Sequence, residues 1–182
     1  VPGRPSEAAR MSDQLPQTPP AGGQPPTGQP AVGPLLLNMQ FTKDLSFEVP
    51  GAPEIFTSLR EQPRVDLQLD VQARKLETPG ATGAAANVYE VALVIRADAK
   101  AQDKTCFIVE LTYCGIFTVN VGADVLEPVL LVECPRLLFP FARNILAEVT
   151  RDGGFPPVLL QPIDFVALWQ SRRANQPPAG NA

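Results

Sequence analysis

RVDLQLDVQARKLE, residues 64–77, decides the fold class. Val65, Leu67, Leu69, Val71 and Ala73 alternate with Arg64, Asp66, Gln68, Asp70 and Gln72. A period of two over this length predicts a long antiparallel strand with one wet face. NVYEVALVIRADA, residues 87–99, repeats the period with Tyr89, Val91, Leu93, Ile95 and Ala97 on one side. TCFIVELTYCGIFTVNV, residues 105–121, repeats it again with Phe107, Val109, Leu111, Tyr113, Phe117, Val119 and Val121. TPGATGAAA and KAQDK join these strands as turns or loops. Upstream, FTKDLSFEVPGAP, residues 41–53, adds a first strand, with Phe41, Leu45 and Phe47 at odd positions and a stop at Pro50 and Pro53. PEIFTSLRE then fits one short helical turn.

The second face of the later strands is unusually apolar. Ala92 and Val94, then Ile108, Cys114 and Ile116, stand where a solvated sheet face would carry polar groups. Helices, another subunit or an apolar ligand would each explain it.

After Asn120 the period becomes three to four. Leu138, Phe141 or Ala142, Ile145 and Val149 mark one helix face, and Pro140 is expected to kink or begin a helical segment. Asp152-Gly153-Gly154 ends it by supplying positive-φ positions. FPPVLLQPIDFVALWQSRR, residues 155–173, crosses back, and Asp164 is placed to cap a final helix carrying Phe165, Leu168 and Trp169. Strands first and helices last predict an α+β domain: a four-stranded antiparallel sheet with C-terminal helices packed on one face.

The ends differ in kind. Residues 1–40 hold 9 of the 21 prolines and 5 of the 13 glycines but four charged side chains. Too little apolar surface is present there to offset ordering entropy. Residues 1–37 are therefore expected to be a disordered tail, residues 38–173 the domain, and residues 174–182 a short flexible tail.

Composition narrows the function. The chain of 182 residues has net charge −4, and residues 41–170 carry 17 acidic and 11 basic side chains. Without clustered Lys and Arg, a nucleic-acid partner is not expected. No apolar run reaches membrane-spanning length, so stable membrane insertion is not expected. Three cysteines, an odd number, fit reduced thiols in an intracellular protein. Cys106 and Cys114 lie about 26 Å apart on one strand and cannot pair there. Histidine is absent, which removes the usual proton-transfer group and the commonest zinc ligand. No phosphate loop, dinucleotide fingerprint or nucleophile elbow occurs, and Cys114-Gly115 has no adjacent base. Neither a metal, a cofactor nor an enzyme is expected. The residues alone leave an adaptor or structural module that binds one folded partner open.

Four stretches carry a resemblance that covers about residues 38–170. FTKDLSFEVPGAPEIF, VYEVALVI, FIVELTYCGIFTV and PRLLFPFARNILAEVTRDGGFPPVLLQPIDFVALW together resemble the SecB family of bacterial protein-export chaperones. The resemblance implies a cytoplasmic homotetramer, a dimer of dimers. It implies binding of unfolded precursor proteins in apolar grooves without ATP and their delivery to the motor protein SecA. It places Asp44, Glu48, Ile108 and Glu110 on the SecA-docking face. For the client groove, Phe56, Phe155, Leu159, Leu160, Phe165 and Trp169 near the crossing loop are the candidates, with Phe139 and Leu168 assigned to the core. Ala92, Val94, Cys114 and Ile116 are the candidate oligomer interface. The C-terminal RRANQPPAGNA is short and basic where better-known members carry a longer acidic tail, so the sheet face, not the tail, is the expected dock.

Overall fold

The computed structural model of the chain describes residues 33–77 and 79–175. Four strands, β1 (Leu35–Glu48), β2 (Arg64–Lys75), β3 (Val88–Ala101) and β4 (Lys104–Val119), form one antiparallel sheet in the order β1-β4-β3-β2. A short helix α1 (Glu54–Ser58) follows β1. After β4 the chain is helical through α2 (Ala123–Pro128), a π-helical segment (Val129–Glu133) and α3 (Cys134–Asp152); α4 (Phe165–Asn175) closes the domain.

The alternating strands behave as their sequence period requires. Val91, Leu93, Ile95, Ala97, Val109 and Phe117 have no exposed surface, and the helix-face residues Leu138, Ala142 and Leu146 of α3 have none either. Helix therefore packs on the odd-numbered face of β3 and β4, giving the expected two-layer α+β architecture. Gly115 sets the approach: a Cβ there would lie 2.8 Å from Leu138 Cδ2 and 2.6 Å from the Phe117 ring. Only a residue without a side chain lets α3 come this close to β4.

Three details differ from the periodic reading. β1 begins at Leu35, not Phe41, and pairs Leu35 with Val119. The expected N-terminal tail thus gives up Leu35–Leu37 to the sheet; its residues 1–32 lie outside the described residues. β1 also carries two irregularities, between Leu37 and Met39 and between Thr42 and Asp44. Each extra residue reverses which face the following side chains take. Phe41, opposite Cys114, therefore lies on the face away from the helices, while Leu45 and Phe47, opposite Leu111 and Val109, lie on the helix side.

The helical segment starts earlier than Pro140. Pro135 follows directly on the π-helical segment in the first turn of α3, and Pro140 lies on the exposed side inside the helix. At the far end, Gly154 has φ +87°, whereas Gly153 has φ −73°. Gly153 is required for room instead, since a Cβ there would lie 2.2 Å from the Phe47 ring. Asp164 does cap α4: its Oδ1 accepts from the backbone N–H of Val166 and of Ala167, each at 3.0 Å. α4 runs to Asn175, so Ala174 and Asn175 are helical rather than part of a tail.

Candidate functional site

Residues 156–163 cross from α3 to α4 and stand off the sheet. Between this crossing loop and the end of the sheet lies a groove of about 560 Å3. Pro63, Val65 and Leu67 at the start of β2, with Phe107 of β4, form one side; Pro156, Pro157, Val158, Leu159, Leu160, Pro162 and Ile163 form the other. Apart from Gln62 and Gln161, every lining side chain is apolar. Its origin is visible along β2. Val71 is 4% exposed, but Leu67, on the same face, is 41% exposed. Among the described residues, the first half of that strand faces the open groove, whereas the π-helical segment packs beside the second half. There, Arg172 of α4 donates to the Val71 carbonyl at 2.7 Å and pairs with Asp70.

The crossing loop is held at both ends. Leu160 is 6% exposed and anchors in the core, while Leu159 is 62% exposed and faces out. Phe155 N–H donates to the Thr150 carbonyl at 3.1 Å. A run of aromatic rings supports this end: Phe47 to Phe107 at 5.6 Å, Phe107 to Phe155 at 4.9 Å and Phe155 to Phe56 at 5.2 Å between centroids.

Of the groove candidates read from the sequence, Leu159 and Leu160 line it. Phe155 and Phe165 do not: they are core residues, 4% and 1% exposed, with Phe165 edge-on to Phe139 at 5.9 Å. Large rings next to the sheet end bury more apolar area inside than at a groove wall. Phe56 stays exposed beside Phe155, outside the lining. Trp169 donates from Nε1 to Glu127 at 3.1 Å and carries Arg173 over its ring. Leu168, assigned to the core, is half-buried against it. Val65 and Leu67 were legible only as one face of a strand, and the loop prolines only as part of a segment that crosses back. A smaller apolar depression of about 320 Å3, lined by Ala73, Leu126, Leu130 and Leu131, lies at the other end of β2.

The opposite sheet face is mixed: apolar along the middle of β3 and β4, polar where β1 meets the start of β4. The register puts Asp44, Ser46 and Glu48 of β1 beside Thr112, Glu110 and Ile108 of β4. The four residues expected to dock a partner are therefore neighbours on one face. Asp44 and Glu48 are exposed and make no ion pair among the described residues. Glu110 is paired with Arg96, whose guanidinium also holds Asp98 through two 2.9 Å bonds. Further along, Glu90 is 6% exposed and takes Lys43 of β1 and Arg74 of β2. Those partners hold its carboxyl below the usual range, Arg74 first, against the opposing effect of burial.

Of the interface candidates, Val94 and Ile116 are half-buried. Ala92 and Cys114 are 8% and 0% exposed within one chain, which leaves little surface for contact. Burial and the nearby Glu90 push the Cys114 thiol up to about 11, and burial pushes Cys134 up to about 12. Such thiols are poor nucleophiles near neutral pH. Leu137 and Phe141 of α3, 45% and 47% exposed, form a second apolar surface, with Phe141 stacked on Tyr113 at 6.4 Å. No helix among the described residues is long and apolar enough to cross a membrane.

A four-stranded sheet, one long helix and a crossing loop over an apolar groove thus follow the pattern of the resembling stretches. The family described as preprotein translocase subunit SecB matches residues 29–176. The chain belongs to the SecB family. It is 62% identical over 157 residues to the protein-export protein SecB of Granulibacter bethesdensis, covering 82% of this chain and 88% of that one. The SecB of Acidiphilium cryptum is 56% identical over 157 residues, covering 79% and 91%. Among solved structures, a SecB-like chaperone of Mycobacterium tuberculosis in complex with a ChAD peptide from the HigA1 antitoxin shares the fold. Its TM-score is 0.55 at 13% identity, over 71% of this chain and 91% of that one. SecB membership makes this protein a cytoplasmic chaperone of protein export rather than an enzyme.

Proposed function

We propose that this SecB-family protein holds non-native precursor proteins in the groove between β2 and the crossing loop, without ATP, and passes them to SecA docked on the opposite sheet face. The observation that carries the reading is the groove itself: open, and lined almost wholly by aliphatic and proline side chains. Apolar contact is non-directional, so it accepts many sequences. Each buried client Leu or Phe contributes about 1.5–3 kcal/mol, and ordering each client residue costs about 1–2 kcal/mol. The net per segment is small, so affinity requires several segments on several grooves at once. A homotetramer, a dimer of dimers, supplies them. The exposed Leu137 and Phe141, with the half-buried Val94 and Ile116, support burial against further copies. A folded precursor has already hidden its apolar segments and competes poorly.

The carboxylates of Asp44 and Glu48, lacking partners of their own, fit a basic surface on SecA, with Ile108 and Glu110 beside them. Native mass spectrometry of the protein alone and with a reduced, unfolded polypeptide tests the proposal. A tetramer that takes up the unfolded but not the folded form is expected. A monomer, or equal uptake of both forms, would overturn it.

A further inference from the structure

We infer that Thr150 is a positioning residue of the client groove, its buried hydroxyl fixing the backbone of the proline-rich wall at Val158; the inference rests on the groove being the client site. Thr150 lies in the last turn of α3 with no exposed surface. A helical threonine ordinarily satisfies its hydroxyl by donating back to the preceding turn. Thr150 does so, to the Leu146 carbonyl at 2.8 Å with the Ala147 carbonyl at 3.2 Å. Its oxygen retains acceptor capacity, and the Val158 N–H donates to it at 3.0 Å.

Beyond the apolar packing of Leu160, the wall has few polar ties. Pro156, Pro157 and Pro162 have no N–H. Among the described residues, no other hydrogen bond ties the backbone of residues 156–163 to the domain. The pinned residue immediately precedes Leu159, which faces the groove, and Leu160, which plugs into the core. With Leu160 seated in the core, this hydroxyl fixes the backbone immediately before Leu159, on the wall that faces Val65 and Leu67. Without it a part-buried N–H has no partner, and the loop must move to reach water.

The test compares Thr150→Val, which keeps the volume and removes the acceptor, with Thr150→Ser, which keeps the hydroxyl. The full chain is loaded with a reduced, unfolded polypeptide, and dissociation is followed alongside amide exchange at Val158. Thr150→Val should speed dissociation about tenfold, the scale of one buried hydrogen bond, and accelerate exchange at Val158. Thr150→Ser should restore both to within about twofold. Because the valine variant could fail to fold, Val158→Pro, which deletes the donor and leaves α3 untouched, is run beside it with the same loss expected. Leu159→Arg is the control for the groove. If Leu159→Arg abolishes binding while a folded Thr150→Val or Val158→Pro binds as the parent does, the positioning role is overturned and the groove stands. If Leu159→Arg binds as the parent does, the groove reading falls and this inference with it.

Discussion

The ammonium of Lys43 lies 3.1 Å from a carboxylate oxygen of Glu90, joining the outer strand β1 to the inner strand β3 across an intervening β4. Lys43 reaches it as the extra residue of the irregularity between Thr42 and Asp44. With Arg74 on the other side, the pair ties three strands to one nearly buried carboxylate.

That carboxylate gives stability a pH signature. Its folded pKa is depressed from 4.5, so its contribution is fully present above the unfolded value and is lost as pH falls through the folded one. Glu90→Gln is expected to cost about 1–2 kcal/mol at pH 7. The gap from the parent should narrow as pH drops below 4.5. Denaturant unfolding at a series of pH values and one protein concentration checks this.

Gly115→Ala should be disproportionately costly. The added methyl would meet Phe117 at 2.6 Å and Leu138 at 2.8 Å, both fully buried. Overpacking of this kind costs about 1–3 kcal/mol. Gly33→Ala, with nothing within 4 Å, is the matched control and should change stability negligibly. Equal midpoints for the two variants in urea would contradict the close helix approach.

Docking should respond to charge in both directions. Asp44→Lys with Glu48→Lys is expected to slow association with SecA about tenfold at low salt, leaving client binding unchanged. Arg96→Gln should act oppositely, because it frees Glu110 and Asp98 from the guanidinium that now holds them. Association rates by stopped flow at two salt concentrations decide it. Faster association of Arg96→Gln that vanishes at high salt is the expected pattern.

The thiols should be inert until the fold opens. Cys106, Cys114 and Cys134 are all buried, and burial pushes the last two thiols up to about 11 and about 12. Alkylation of the native protein at pH 8 is expected to run about a hundredfold slower than in denaturant. Mass spectrometry after timed labelling measures it.

Strand identity was legible because period two over Val65–Ala73, Tyr89–Ala97 and Phe107–Tyr113 has one physical reading when a helix layer covers one face. Facing in β1 was not. Two single-residue irregularities turn the chain over, and hydropathy does not reveal an extra residue until the partner strand is known. The four positions expected to dock a partner share one face, because the second irregularity precedes both β1 members. The groove was half legible. Aromatic content pointed to Phe155 and Phe165, yet these rings pack inward, and the wall is built from prolines and aliphatics that look like an ordinary loop. Thr150 gave no signal at all, since its role depends on a donor eight residues away.

The bond from Arg172 to the Val71 carbonyl bears on a hazard peculiar to a carrier of extended chains. β2 is the outermost strand on its side of the sheet, and a bare outer strand templates further strands. A passenger recruited that way would be zipped in along its whole backbone and slow to leave. Arg172 occupies a mid-strand acceptor and sets a charge beside Asp70, so a growing ladder must first dislodge a guanidinium. If the proposed groove carries clients, the sheet would offer them apolar side chains without offering its backbone as a seed for aggregation, and release would stay faster than entanglement.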